Sequence, residues 1–350
     1  MKVIQIGNGN VAKMHRQIFP EGVKTIAVVD TNLRKREEAE KEGFPAFPDI
    51  NSISPNSIAP HLLRQVDLWD ICVPDEWHLP LMKRLLERGA GRILVEKPIC
   101  VPSQIEEMED LLTRFSGVQI CVEETYISSM VVGTVREQAE KYGLTHPTIL
   151  MEQSKNRIED IVGGRFIDKE LGVFALEVPH GLTAVAGTGD KRWPSIIQEV
   201  SLEDMTLPSG EILPRQGKGK ISYLTEDGCQ VRILTAMNGE VLCPLPELNT
   251  PSSIPFGSPV KYRVLVLEEG KYKIIGQFEP IPDWPRFEAR VLVYAEEKLI
   301  DTIKMEDRPM NRLIARAIRY FKGEEKNPAP PTKALSLVKF LREVMKRLGP

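Results

Sequence analysis

The feature that most constrains the fold is a glycine-rich turn near the N-terminus. An apolar run at residues 3–6, typical of a buried strand, leads directly into Gly-Asn-Gly-Asn-Val-Ala and then into a helical pattern. The first glycine permits a tight turn, the second lets the backbone approach a pyrophosphate, and the alanine replaces a third glycine where helix and strand pack closely. The helix N-terminus adds unpaired N–H groups and the positive end of its dipole. The pattern predicts dinucleotide binding by Gly7, Asn8, Gly9, Asn10, Val11 and Ala12.

An acidic residue ends the second predicted strand and bears on the choice of cofactor. Asp30 lies about 20 residues beyond the turn, where a carboxylate can bond the adenosine ribose hydroxyls. Because a carboxylate repels a 2′-phosphate, Asp30 favours NAD over NADP. Arg34 is either a counter-charge for such a phosphate or a solvated helix residue. NAD is therefore expected, and NADP stays open.

Short apolar runs alternate with helical patterns in the first third of the chain. Strands alternating with helices predict βαβ units with right-handed crossovers and a parallel sheet. We expect residues 1–123 to form an NAD(P)-binding Rossmann domain with a doubly wound parallel sheet. The predicted strands are residues 3–6, 25–29, 68–73, 93–95 and 118–122.

The rhythm changes after residue 123. A helix at 128–142 is followed by strand patterns joined by short turns, which predicts a C-terminal α/β domain with an open, mostly antiparallel sheet. We expect residues 124–350 to bind substrate and to mediate oligomerisation, and the final helices, 311–321 and 334–348, to pack back on the Rossmann domain. The strands of this part are predicted at 148–154, 218–224, 230–237, 262–267, 271–277 and 290–295.

Charge and cysteine usage exclude several classes of protein. Lys and Arg number 46 against 49 Asp and Glu, so bulk electrostatics predict no nucleic-acid or membrane partner. The five cysteines are irregularly spaced without a C-x-x-C pair, which predicts neither a disulfide framework nor a metal site. No stretch approaches the roughly 20 apolar residues of a membrane span. Since the N-terminus also lacks a signal-peptide pattern, we expect a cytoplasmic protein.

Four features resemble the glucose-fructose oxidoreductase / inositol dehydrogenase / MocA family. They are a G-x-G-x-x-A-x-x-H pattern at residues 7–15, Cys-Val-Pro with a following histidine at 72–78, Glu-Lys-Pro at 96–98, and a C-terminal helix pair with a proline-rich turn. The resemblance implies a Rossmann domain followed by an α/β domain with an open sheet. It also implies further cofactor contacts from Val73, Pro74, His78, Glu96 and Lys97.

The resemblance also names catalytic candidates. Lys97 follows a predicted buried strand, and ligands of parallel sheets bind beyond the carboxyl ends of the strands. Its ammonium can hydrogen-bond the reacting oxygen; the alternative is an ordinary surface lysine. His180 looks like the general base of the family's D-x-x-x-H segment, with a buried structural histidine as the alternative. The chain departs from that pattern, because Leu176 stands at the acidic position and Glu177 follows it, so Glu177 is a candidate on the same face of a helix.

Three more polar residues are candidates for binding substrate. Lys155 and Arg157 follow a predicted strand, and Tyr126 comes just after the Rossmann domain. We expect them to bind substrate together with Lys97 and His180, although solvated or core positions are equally compatible with the pattern. If two of these cations face the substrate, an anionic substrate such as a sugar phosphate is favoured.

Together these residues predict a dehydrogenase that moves hydride between nicotinamide and a secondary alcohol of a small cyclitol, sugar or sugar derivative. Two alternatives stay open. One is an enzyme with tightly bound NAD that is recycled within each catalytic cycle, and the other is a non-catalytic dinucleotide-sensing regulator. Since the open sheet of the second domain needs a cover, we expect a homo-oligomer, either a dimer or a tetramer.

Overall fold

The chain forms two compact units. The computed structural model describes residues 1–53, 59–164, 167–168, 170–250, 252–258 and 260–349. The first unit comprises Met1–Glu124 and Met310–Val338, and the second comprises Thr125–Pro309 and Lys339–Pro350. The first unit is therefore built from two stretches of chain that are far apart in sequence.

The first unit contains a six-stranded sheet in the order β3-β2-β1-β4-β5-β6, and every pair in it is parallel. The predicted parallel sheet is confirmed, with one short strand, β3, that the sequence pattern did not predict. The strands are β1 (Lys2–Ile6), β2 (Lys24–Val29), β3 (Ala46–Phe47), β4 (Leu68–Ile71), β5 (Arg92–Glu96) and β6 (Gln119–Glu123). The helices between them are α1 (Asn10–Ile18), α2 (Leu33–Lys41), α3 (Pro60–Leu63), α4 (His78–Glu87) and α5 (Ile105–Arg114).

Helices cover the sheet, and this explains its apolar strands. Every residue of β4 is buried, as parallel strands are when both faces are packed. One face carries Ile71 and Val95, which pack in a core with Met82 of α4 and Met108 of α5. The last helix of the chain contributes three residues to the same core, Ala334, Leu335 and Val338.

The C-terminal stretch of the first unit bonds to the edge of its last strand. It contains helix α10 (Pro309–Phe321) and the start of α11 (Pro331–Leu348). The amide of Val122 in β6 donates to the carbonyl of Ala329, and the side chain of Asn327 donates to the carbonyl of Ile120. These bonds satisfy backbone groups at the free edge of β6.

The second unit contains an eight-stranded sheet in the order β16-β15-β14-β13-β7-β12-β11-β8. Only β7 and β12 pair in parallel, so the sheet is mostly antiparallel, as the sequence predicts. Its strands are β7 (Thr148–Lys155), β8 (Pro194–Leu202), β11 (Lys218–Thr225), β12 (Gln230–Ala236), β13 (Lys261–Glu269), β14 (Tyr272–Gln277), β15 (Glu288–Ala295) and β16 (Lys298–Glu306). A separate small pair is made by β9 (Met205–Thr206) and β10 (Ile212–Leu213).

The helices of the second unit pack closely on one face of this sheet. They are α6 (Met130–Lys141), α8 (Val173–Leu176) and α9 (Val178–Gly187), while the short helix α7 (Ile158–Val162) follows β7 and has no buried residue. Gly276 in β14 has no side chain where α6 crosses, and a Cβ there would lie 2.7 Å from Val131. The opposite face carries an apolar cluster in which Tyr262, Val264 and Val266 of β13 pack against Val241 and Leu245.

Membrane insertion has no candidate among the helices: in the part of the chain that the structure describes, none is both long and apolar enough to span a bilayer.

Candidate dinucleotide and substrate sites

The turn after β1 has a backbone that only glycine fits without strain. Gly7 has a φ of +97°, and its N–H donates to the carbonyl of Val29 at 2.7 Å. A Cβ at this position would lie 2.4 Å from the carbonyl oxygen of Cys72. The turn is therefore held between β2 and the end of β4 at the centre of the sheet.

The next glycine leaves the N-terminus of α1 open. A Cβ on Gly9 would meet no atom within 4 Å, and no side chain caps the helix. The first N–H groups of α1 thus have space in front of them and a positive dipole behind them, which is the arrangement that binds a phosphate. Asn10 and Val11 lie in this first turn, and Ala12 is buried where helix and strand meet. The turn fits a pyrophosphate.

Asp30 is fixed at the end of β2 by backbone donors. Its two carboxylate oxygens accept from the amides of Asn8 and Asn32, each at 2.8 Å. The side chain of Asn8 is buried, donates to the carbonyl of Lys35 and accepts from Arg16, so Asn8 serves the turn as a brace. Arg34 points into solvent, with 88% of its side chain exposed. The carboxylate is thus held rigidly at the position expected for ribose recognition.

His78 ties together the segments that follow β4 and β5. Its Nδ1 lies 2.8 Å from the carbonyl of Pro98 and its Nε2 lies 2.9 Å from the carbonyl of Val73. The ring is fully buried, and burial lowers its pKa. Because both ring nitrogens face backbone carbonyls, His78 orients Val73 and the neighbouring Pro74, and a direct contact to a cofactor stays a prediction.

Glu96 and Lys97 stand at the carboxyl end of β5, beside β4 and β6. The Glu96 carboxylate accepts from the amide of Lys97 at 3.1 Å, both side chains are half-buried, and the Lys97–Pro98 peptide is cis. Glu124 was not among the predicted site residues; it follows β6 and is buried. Burial raises the pKa of Glu124 to about 8, against the opposing attraction of Lys97.

A buried polar network under the glycine turn was also missed from the sequence. His15 Nδ1 lies 3.1 Å from the Asp70 carboxylate, which also accepts from Gln5 and from the thiol of Cys72. Burial opposes a charged imidazole, but the Asp70 carboxylate outweighs it and raises the pKa of His15. The atoms of His15, Asp70 and Cys72 that could ligate a metal ion lie within 4.8 Å of one another. Hydrogen bonds within the protein already account for this arrangement, so the network braces α1 against β1 and β4.

In the second unit, four of the predicted residues come together at the end of β7. Lys155 is its last residue and forms a buried ion pair with Glu177, which immediately precedes α9. Burial would raise the pKa of Glu177, but the charges of Lys155 and Arg263 hold it well below its usual range. The Tyr126 ring packs 5.1 Å from that of His180, in the first turn of α9. The Leu176 side chain lies outside the described residues, and the substitution of Glu177 for the family's acid stays a prediction.

Arg157 lies two residues beyond β7 and forms an ion pair with Asp160 in α7. Three further polar residues near the end of β7 were not predicted, namely Gln153, Lys261 and Arg263. Gln153 and Arg263 face each other across β7 and β13, and the guanidinium of Arg263 lies 5.9 Å from the Tyr126 ring. The signal available in the sequence was the alternation of cations with apolar residues at the start of β13.

The first unit has the strand order, glycine turn and open helix N-terminus of a dinucleotide-binding Rossmann fold. Residues 1–124 match the family model GFO_IDH_MocA, described as "oxidoreductase family, NAD-binding Rossmann fold". The resemblance noted in the sequence is thereby confirmed for the first unit, which is the NAD(P)-binding domain of an oxidoreductase.

Solved structures extend the likeness in fold to nearly the whole chain. UDP-N-acetylglucosamine 3-dehydrogenase GnnA from Acidithiobacillus ferrooxidans matches with a TM-score of 0.68 and 12% identity, covering 98% of this chain and 96% of that one. The WlbA dehydrogenase from Bordetella pertussis, in complex with NADH and UDP-GlcNAcA, matches at 0.69 and 13%, covering 99% and 95%. A 3-ketoreductase from Actinomadura kijaniata, with TDP-benzene and NADP, matches at 0.69 and 13%, covering 99% and 97%. At these identities the likeness establishes the fold. No curated protein matches the chain.

Proposed function

We propose that the protein is an NAD(P)-dependent dehydrogenase that acts on a secondary alcohol of a sugar, cyclitol or sugar derivative, including phosphorylated ones. The observation that carries this proposal is the cluster of Tyr126, Lys155, Glu177 and His180 at one end of β7. Such a cluster of hydrogen-bonding groups and one imidazole suits a polyhydroxylated ligand that must lose a proton. The structural neighbours support the substrate class, since those described above are named for sugar derivatives or for a keto group.

The first unit supplies the cofactor half of the proposal. Gly7, Gly9 and the first turn of α1 hold the pyrophosphate, and Asp30 bonds the adenosine ribose. NAD is the favoured cofactor because a 2′-phosphate would meet the fixed carboxylate of Asp30. When bound, the nicotinamide supplies the hydride acceptor or donor.

The protein's own residues handle the proton and the reacting oxygen. His180 accepts the hydroxyl proton as general base, and Lys97 hydrogen-bonds the reacting oxygen and stabilises its developing negative charge. Glu177 holds Lys155 in place through their buried ion pair, so both act by positioning groups around the substrate hydroxyls.

An absorbance assay in the reduced nicotinamide band tests this proposal. NAD and NADP are each supplied with a panel of cyclitols, sugars, amino sugars and sugar phosphates. We expect reduced nicotinamide to form with the unmodified protein and with Lys83→Ala, an exposed lysine of α4 paired with Glu107. Lys97→Ala should lose turnover by about two to four orders of magnitude while still binding NAD. Retained activity in Lys97→Ala would remove Lys97 from its role.

The departure at Leu176 favours a second candidate, a regulator that senses the dinucleotide without turnover. A protein that binds NADH, as seen by fluorescence, but turns over nothing in the panel would fit the regulator. A purified protein that already absorbs in the reduced nicotinamide band would indicate instead a tightly bound cofactor recycled in each cycle.

We also propose a homo-oligomer. Support comes from Ile196 on one edge strand of the second sheet and from Leu299 and Ile300 on the other, all about half exposed to solvent. Light scattering after size exclusion gives the mass, and a monomer at micromolar concentration would contradict the proposal.

A further inference from the structure

Strand register brings four cationic or polar side chains to one end of the second sheet. Lys261 of β13 lies directly opposite Lys155 of β7, and Arg263 lies opposite Gln153. Cross-strand partners share a face, and so do residues two apart on one strand. The two lysines, the arginine and the amide therefore project together, on the side where α9 carries His180.

The cations of this group are not equally neutralised. Lys155 is paired with Glu177, and Arg263 lies 3.7 Å from Glu279. Lys261 has no ion-pair partner among the residues that the structure describes, although it is only half exposed. The nearby charge of Arg263, together with burial, lowers the pKa of Lys261 to about 8. Of these three cations, Lys261 is therefore the one whose charge is available to a ligand.

A second, independent observation comes from Gln153. Only 2% of this residue is exposed, yet neither its Oε1 nor its Nε2 has a hydrogen-bond partner among the described residues. A buried amide without partners costs free energy, which a ligand hydroxyl or anion recovers. The remaining oxygen of Glu177, Oε2, also lacks a hydrogen-bond partner there.

From this arrangement we infer that the substrate carries an anionic group, a carboxylate or a phosphate, which Lys261 and Arg263 bind beside Gln153. The inference rests on the proposed function for calling the ligand a substrate. Lys155 and Arg157, the cations that the sequence suggested for an anion, are in direct ion pairs with Glu177 and Asp160. Arg263 lies farther from its acidic neighbour Glu279, at 3.7 Å, and Lys261 has no ion-pair partner among the described residues, so we place the anion at these two. Lys261 and Arg263 are then specificity-determining residues, and Gln153 hydrogen-bonds a neighbouring oxygen of the substrate.

Binding measured without turnover tests the inference on the full chain. Titration calorimetry compares glucose with glucuronate and with glucose 6-phosphate, in the presence of NADH. We expect one or both anionic sugars to bind about ten to a hundred times more tightly than glucose, the range for hydrogen bonds to charged groups. Preference for glucuronate alone identifies a carboxylate substrate, and preference for glucose 6-phosphate alone identifies a phosphate. Equal affinity for all three sugars would overturn the inference.

Substitutions distinguish binding at this site from a general effect of the protein's positive charge. Lys261→Met should lose about tenfold of the preference for the anionic sugar, while NADH affinity stays the same. Lys220→Met is the matched control, since Lys220 is a strand lysine of the same sheet that pairs with Glu199, and it should keep the preference. Arg263→Met is the corresponding change at the second cation. If that variant fails to fold, Arg263→Lys, which retains the charge, takes its place. Loss of the preference in Lys220→Met, or its retention in Lys261→Met, would contradict the assignment. Anion binding without any turnover would contradict the proposed dehydrogenase function but would still support the anion site.

Discussion

The imidazole of His15 and the carboxylate of Asp70 form a pair that is closed to solvent, with Nδ1 lying 3.1 Å from each carboxylate oxygen. The pair joins α1 to the centre of the parallel sheet, directly below the glycine turn. Breaking a buried pair by removing one charge leaves the other uncompensated, which typically costs about 3–5 kcal/mol. The free energy of unfolding should therefore depend strongly on Asp70.

We expect Asp70→Asn to lower the free energy of unfolding by roughly that amount near pH 6. Because the folded-state pKa of His15 is raised, its stabilisation is complete below the unfolded value and is lost as pH rises through the folded value. The gap between the unmodified protein and Asp70→Asn should therefore narrow as pH rises, which urea unfolding at several pH values measures. A gap that stays constant with pH would mean that His15 is neutral in the folded protein.

The raised pKa of Glu124 makes the free energy of unfolding depend on pH, in the direction that makes a neutral replacement stabilising. Its folded-state pKa is raised to about 8, so the folded protein keeps a proton that the unfolded chain releases at lower pH. Between about pH 5 and 8 this costs stability, by up to about 1.4 kcal/mol for each pH unit. Glu124→Gln should be increasingly stabilising over that range and level off above it, as urea midpoints will reveal. Glu37→Gln, on an exposed part of α2, serves as the control with no such trend.

The two glycines of the turn should respond differently to an added methyl group. Gly7→Ala puts a Cβ against the carbonyl of Cys72 at a positive φ, so we expect a stability loss of about 1–3 kcal/mol or more. Gly9→Ala meets no protein atom, so the melting temperature should stay the same while NADH affinity falls about tenfold. Thermal melts and NADH fluorescence titration measure both effects. Unchanged NADH affinity in Gly9→Ala would argue that no pyrophosphate approaches this backbone.

Cofactor choice should follow the charge at residue 30. Asp30→Asn removes the repulsion of a 2′-phosphate while one amide oxygen can still accept a backbone N–H, so the chain should fold. The ratio of the NADPH to the NADH dissociation constant should fall about tenfold in this variant. Arg34→Ala resolves the alternative left by the sequence: weaker NADPH binding would make Arg34 a phosphate ligand, and no change would make it a solvated helix residue.

The Rossmann half was predictable because its signals are local. A glycine turn between an apolar strand and a helix has few structural solutions, and Asp30 and Lys97 fall at strand ends that the same pattern defines. The network of Gln5, His15 and Asp70 was not predictable in this way. A polar residue inside a strand reveals its partner only when the strand order is known.

The second unit was predicted less completely, and its edges explain why. The strands β8 and β16 lie at the two ends of the sheet and are mostly exposed, so they lack the apolar alternation by which the inner strands were found. The specificity candidates Lys261 and Arg263 were missed for another reason. Their closeness to Lys155 arises from the register of β13 on β7, a pairing between distant parts of the chain.

The bonds that Ala329 and Asn327 make to β6 bear on how the protein is made. A ribosome that has released residues 1–124 has released the parallel sheet with the edge of β6 still open and with part of its core still to be synthesised. The NAD(P)-binding unit is completed only when Met310–Val338 have also emerged. A gene shortened to end after residue 124 should therefore yield an aggregation-prone product.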